Sequence, residues 1–265
     1  FGLGFTLGPA LGGVLGGIDP RLPFWVAGCL ALANACYGWF VLPESLPKEK
    51  RAAFAWKRAN PVGSLRLLRS HRELTGLAAV LFLMQLAHVV FPAVTVLYMG
   101  YRFGWGETAV GFVLAAVGVA SMVVQGGLIR PVVKRLGERR ALVAGLVFGT
   151  AGMAIYGAAP TGWLFLAGIP VMALWGLGGP SAQSLMSRRV EPSEQGQLQG
   201  ATSAMQAITG MIGPTLFTQV FAHSIAKDGA AHVPGMAFFV GAAMLAVGAA
   251  IAWRGVRYTS MAPWS

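Results

Sequence analysis

Within the long apolar stretches of this 265-residue chain, few side chains could do chemistry, and His88 is the only one that titrates near neutral pH. It has polar company: Gln85, His88, Pro92 and Thr95 follow i, i+3, i+7, i+10 spacing, so a helix would carry them on one face. Such a face sits poorly against hydrocarbon, and it suits either a solute-lined cavity or hydrogen bonds to a neighbouring helix. Two similar sets follow, one of Gln199, Ser203, Gln206, Gly210 and Gly213, the other of Trp175 ahead of Gly178, Gly179, Pro180 and Gln183. Amide, hydroxyl and aromatic groups of this kind can hold a bulky, mostly apolar solute at the bilayer midplane. His71, His223 and His232 have no cysteine or paired carboxylates at ligand spacing, so no metal is expected. The glycine-rich segments lack the strand setting and the Lys-Ser/Thr ending of a phosphate loop. No cofactor and no enzymatic centre are expected.

The elements that position these residues are eight apolar stretches, at 1–18, 22–42, 74–99, 109–129, 141–159, 163–187, 198–222 and 233–253, with all 29 charged side chains outside them. Each is long enough to cross ~30 Å of hydrocarbon as a helix, which takes ~20 residues. The chain therefore reads as an all-α membrane protein. In order along the chain, the connections and the tail carry 1, 8, 1, 5, 0, 2, 1 and 2 Lys plus Arg. Basic residues are retained on the inner side, which places both ends there, in the cytoplasm. The net charge of +11 is spread over short turns instead of one face, so a nucleic-acid partner is not expected. Cys29 and Cys36, seven residues apart on one predicted helix, are out of disulfide reach.

The longest connection, residues 43–73, reads as a cytoplasmic linker, and its distal part from Asn60 to Arg72 reads as a helix lying on an anionic inner leaflet. Phe1 opens inside an apolar run, and Leu7-Gly8-Pro9 recurs as Ile212-Gly213-Pro214, an offset of 205 residues. If corresponding helices stand six spans apart, residues 1–42 end one half, residues 74–253 form a second half of six helices, and residues 254–265 are a cytoplasmic tail. Four helices are then expected upstream.

In the first stretch Gly4, Gly8, Gly12 and Gly16 recur every four residues, widened by Gly13, and Pro9 favours a bend beside them. The run Gly4-x-x-x-Gly8-Pro9-x-x-Gly12-Gly13 resembles the antiporter motif of the fifth helix in drug/proton antiporters of the major facilitator superfamily. Tyr101 to Trp105, Arg135 to Leu142 and Gln195 to Gly200 look like the second half of tetracycline efflux pumps. Gln85 and Gln125 match those pumps, whereas Ser121 and Gly149 stand where they carry a histidine and an aspartate. The turn from Arg130 to Arg140 resembles the family's signature cytoplasmic loop, with Arg135, Gly137, Arg139 and Arg140 in place and Lys134 where an aspartate is usual.

The resemblance implies a major facilitator helical bundle with eight of an expected twelve transmembrane helices, in the bacterial inner membrane. It implies proton-coupled export of a hydrophobic drug, tetracycline-like or of the multidrug kind, by a monomer whose partners are the small-molecule substrate, protons and the lipid bilayer. Gly4, Gly8, Pro9, Gly12 and Gly13 would form the gate. Gln85, His88, Thr95, Ser121, Gln125, Trp175, Gln183 and Gln206 would line the cavity. Uptake of a nutrient on the same fold, or a non-transporting membrane scaffold, are the alternatives.

Overall fold

The structure is a computed structural model that describes residues 15, 18, 19, 21–43, 72–226 and 233–255. The gate glycines and Pro9 lie outside them, as does the interfacial helix expected from Asn60 to Arg72, apart from Arg72 itself. Every regular element among the described residues is helical. The chain forms two compact units divided between residues 54 and 55, and each is described by itself.

The first unit contributes α1 (Leu22–Phe40), which has a proline in its first turn and buries none of its residues. Phe24, Trp25, Trp39 and Phe40 are all exposed. A helix that is apolar on every side belongs among lipids or other helices.

The second unit comprises α2 (Arg72–His88), α3 (Val90–Phe103), α4 (Glu107–Val123), α5 (Ile129–Ala158), α6 (Gly162–Ala173), α7 (Gly178–Ser187), α8 (Gln195–Ile225) and α9 (Met236–Gly255). α9 packs between α5 and α2, α8 packs along α2 and α3, and α5 also meets α6 and α7. Leu77, Val80, Leu142, Leu146, Met153, Phe238 and Leu245 fill the core. Where α5 crosses α7 the backbones approach closely: a Cβ on Gly145 would lie 2.6 Å from the Gly178 nitrogen. Small residues at such crossings let membrane helices pack by dispersion.

Five described helical stretches are long and apolar enough to cross a membrane, namely Leu22–Phe40, Leu74–Phe103, Thr108–Ala158, Gly162–Ser187 and Met236–Arg254. The third, 51 residues long, joins two expected spans. Its limbs are separated at Gly137, whose φ of 78° and ψ of 160° lie in a region essentially confined to glycine. The inner turn expected from Arg130 to Arg140 is thus helical on both sides of a single bend. The expected span at 198–222 lies within α8, a helix of 31 residues, but is not among the five. The glutamines at 195, 197, 199, 206 and 219 lower its hydropathy.

At one end of the bundle an aromatic cluster joins four helices. Tyr156 and Phe165 stack at 4.1 Å between centroids, and Tyr98 meets Phe238 edge-on at 5.0 Å. The Tyr98 hydroxyl donates to the Tyr156 carbonyl at 2.8 Å. In a continuing helix that carbonyl would accept from residue 160, but Pro160 has no N–H, so Tyr98 supplies the bond that proline removes.

Tyr98→Phe is expected to leave a buried carbonyl unsatisfied and to cost about 1–3 kcal/mol, read as a lower melting temperature of detergent-solubilised protein. Gly137→Ala is expected to destabilise by a similar ~1–3 kcal/mol through its backbone alone, because nothing lies within 4 Å of the new methyl group. Gly111→Ala in α4, equally unobstructed, is expected to be neutral or stabilising in the same measurement.

Candidate functional site

α2 ends at His88, and the helical path resumes at Val90 as α3. Pro92 has no N–H to return to the His88 carbonyl, so the ladder is interrupted there and carried by Val89 N–H to Leu86 at 3.1 Å and Ala93 N–H to Val89 at 3.1 Å. This kink divides the expected polar stripe. His88 and Pro92 are exposed, whereas Thr95 is buried, with its hydroxyl directed to the Val90 carbonyl at 3.5 Å. Thr95 does not share a surface with His88, because the spacing rule that joined them assumes an unbroken helix.

Trp175 reaches the same place from the other side of the unit. Pro170 lies inside α6, and the helix tightens one turn later into a 3-10 segment, Leu174–Leu177, before α7. The indole lies 5.6 Å from the His88 ring and 6.2 Å from Phe91, and His88 and Phe91 are 5.7 Å apart. Gly149 of α5 makes room for the indole: a Cβ there would lie 2.8 Å from the Trp175 Cγ and 2.9 Å from Leu245 Cδ1. Beside the 3-10 segment runs a π-helical segment, Val124–Leu128, that carries Gln125. A Cβ on Gly176 would sit 3.8 Å from the Gln125 Cγ. Ser121, one turn earlier, is half-buried. Two irregular helical segments therefore meet next to Trp175, and such departures from α geometry recur at functional sites. The Trp175 Nε1 and the Gln85 Oε1 are both buried without a hydrogen-bond partner.

His88 and Trp175 are in ring contact, Gln85 lies one turn before His88, Gln125 lies beside the 3-10 segment that carries Trp175, and the remaining candidates are elsewhere. The Gln183 amide donates to Gln199 Oε1 at 3.3 Å, and Ser187 donates to Gln195 Oε1 at 2.9 Å, a polar clasp between α7 and the start of α8. Gln206 is exposed on α8. Lys134, Arg135 and Arg140 are exposed, and Lys134 and Arg135 occupy the last turn before the Gly137 bend. Arg139 donates to the Trp253 carbonyl at 2.6 Å, capping the end of α9. An open apolar pocket of about 570 Å³ at Thr215, Gln219, His223 and Met236 contains none of the expected residues. Its polar groups do not converge: the His223 Nδ1 lies 2.9 Å from the Gln219 carbonyl of its own helix. The His88–Trp175 region, with its unpartnered donor and acceptor, is the better candidate.

Three contributors escape the sequence reading. Phe91 was findable, since it follows His88 at i+3. Gly149 reads as a mere gap until the indole above it is seen. Glu138, just past the Gly137 bend, accepts from Ser184 at 2.6 Å and pairs with Arg188 at 2.9 Å, which ties the bend of α5 to the C-terminal end of α7. Its partners lie some fifty residues away along the chain, so no local signal marks the pair.

The chain matches the model of the Major Facilitator Superfamily over residues 1–214. Tetracycline resistance protein, class C, of Escherichia coli is 35% identical over 247 residues, which are 93% of this chain and 61% of that protein. Tetracycline resistance protein, class G, of Vibrio anguillarum is 35% identical over 225 residues, 83% of this chain and 56% of that one. The chain therefore spans less than two thirds of the length of either relative. In fold it is similar to the human organic anion transporter MFSD10 (TETRAN), with a TM-score of 0.76 at 21% identity over 95% of this chain and 61% of that one. At that identity the likeness concerns the fold alone. Family match, relatives and helical architecture agree with the motifs around Gly8 and Arg135: the chain belongs to the Major Facilitator Superfamily.

Proposed function

We propose that the chain is part of a proton-coupled secondary transporter that exports a hydrophobic drug or antibiotic, tetracycline-like or of the multidrug kind, by alternating access. The observation that carries this is the 35% identity to a tetracycline resistance protein over 93% of the chain. The site agrees in its chemistry. Exposed His88 is in ring contact with Phe91 and Trp175, with Gln85 one turn before it, an aromatic and mildly polar set without a fixed charge, as suits a bulky, largely apolar solute.

In this reading residues 1–42 are the last two helices of one half and residues 43–73 a cytoplasmic linker. Residues 74–253 form the six-helix second half, and residues 254–265 a cytoplasmic tail. Eight spans lie in the bacterial inner membrane with the basic connections and both ends inside, and the transporter works as a monomer on a small molecule and protons, without catalysis, cofactor or metal. Gly4, Gly8, Pro9, Gly12 and Gly13 let two helices rock against each other at the gate. Ser121 and Gly149, in place of the histidine and aspartate of the resembling pumps, leave this half without an embedded acid, so the coupling carboxylates belong to the other half.

Cells expressing the gene are expected to accumulate less of a fluorescent or radiolabelled drug than controls, and an uncoupler should abolish the difference. Raised accumulation would favour nutrient-type uptake, and unchanged accumulation across a broad compound panel would favour a scaffold. His88 forms no ion pair among the described residues. It is therefore assigned to ring contact with substrate and not to carrying the proton. His88→Gln should slow transport while leaving the shape of its pH profile in place; a displaced profile would make His88 part of the coupling path.

A further inference from the structure

Adjacent residues just past the Gly137 bend hold two different helices. Glu138 accepts from Ser184 and pairs with Arg188, and Arg139 donates to the Trp253 carbonyl, so this part of the chain is fastened to the ends of both α7 and α9. The chain before the bend is not fastened in this way. Every buried residue of α5 lies at Ala141 or beyond, and none of residues 125–140 is buried. This length departs from α-helical geometry at both ends. One end is the π-helical segment Val124–Leu128, where a Cβ on Gly126 or Gly127 would meet nothing within 4 Å, and the other is Gly137, with its φ of 78°. Between them residues 129–136 form a helical arm with two faces. Ile129, Val132, Val133 and Leu136 follow i, i+3, i+4, i+7 spacing, and Arg130, Lys134 and Arg135 lie on the opposite side. Those three cations and Arg140, just past the bend, are exposed, and none has a hydrogen bond or ion pair among the described residues. Glu138, the acid nearest in sequence, is already taken by Arg188.

We infer that residues 129–136 are a basic arm that docks on the headgroups of anionic phospholipids. The apolar stretches on either side, residues 109–129 and 141–159, set the arm at a membrane boundary, where such headgroups are the nearest anions. Arg130 and Lys134, one turn apart, share a phosphate, the guanidinium by paired N–H bonds and the ammonium as a point charge. The apolar face meets the acyl chains just below, as in helices that lie in the headgroup plane. Uncharged lipids leave the cations in water, and the arm then has only its apolar face to hold it. Because Glu138 and Arg139 fix the far side of the bend, docking reorients the arm and leaves the rest of α5 in place. The inference does not depend on the identity of the transported solute and goes beyond the export reading.

The test uses the full chain with Cys29→Ser and Cys36→Ser, so that Leu136→Cys alone takes a nitrobenzoxadiazole label. The protein is reconstituted in vesicles of phosphatidylcholine with increasing phosphatidylglycerol, the same in both leaflets, so its orientation does not matter. Emission is expected to move to shorter wavelength as phosphatidylglycerol rises, because docking carries the label out of water. Arg130→Gln/Lys134→Gln is expected to need at least about tenfold more phosphatidylglycerol for the same shift, since each cation at an anionic surface counts roughly fivefold. Arg21→Gln, which removes an exposed charge from the first unit, should change nothing. Sodium chloride at about 1 M shortens the screening length to about 3 Å and should abolish the shift without any substitution, which decides the matter even if the doubly substituted protein does not fold. An equal shift in the doubly substituted protein, or a shift that survives the salt, overturns the inference. So does the same shift produced by inorganic phosphate in pure phosphatidylcholine, which would mean a site for a free anion. Loss of uncoupler-sensitive export with the lipid response intact removes the export reading and leaves the arm standing.

Discussion

Hydrocarbon offers a peptide group no hydrogen-bond partner, so wherever one of these helices loses a backbone bond the protein has to answer from within. The bond between the Tyr98 hydroxyl and the Tyr156 carbonyl is the plainest case, a side chain standing in for the amide that Pro160 lacks. The same constraint governs the small hydroxyls. Thr150 donates to Leu146, Ser181 to Leu177, Thr218 to Pro214 and Ser224 to Phe221, each three or four residues back along the chain at 2.7–2.8 Å. A hydroxyl spent on its own backbone is not offered to a solute. That separates Thr95 from Gln85 and Trp175, although all three read alike as polar residues in apolar runs.

The spans expected at 22–42, between 74 and 187, and at 233–253 were legible because hydropathy over some twenty residues is a collective property that no single substitution obscures. Breaks within them were less so. Pro92 announces a kink, but which residues stay together on either side depends on how the ladder is rerouted through Val89 and Ala93. Gly137 is one glycine among 37 in the sequence, and only its φ of 78° marks it as the place where a 51-residue helical stretch bends. Within the site, Trp175 and Gln85 stood out as polar or aromatic residues in an apolar context. Gly149, which decides where the indole lies, has no side chain to attract notice.

The two ends of the second unit are held differently. One end relies on stacked and edge-on rings, with Tyr156, Phe165, Tyr98 and Phe238 drawn from α5, α6, α3 and α9. The other relies on charge and hydrogen bonds, with Glu138 held by Ser184 and Arg188, and Arg139 capping α9 at Trp253. The four rings are fully buried, so they hold their helices together by packing, whereas the polar set holds by charge and hydrogen bonds. Between these ends lie the irregular segments, Val124–Leu128 and Leu174–Leu177, and the candidate site. The departures from regular α-helical bonding at these two segments thus fall beside the candidate site.

The fit of the indole above Gly149 links two positions that are 26 residues apart in sequence. Any side chain at 149 would need the volume that Trp175 now fills, so in a set of homologues the two sites should vary as a pair, with bulk at one accompanied by a smaller group at the other. A protein of this kind could then change from recognising solutes by aromatic surface to recognising them by a charged group through a coordinated exchange at two residues, without rebuilding the helices that carry them.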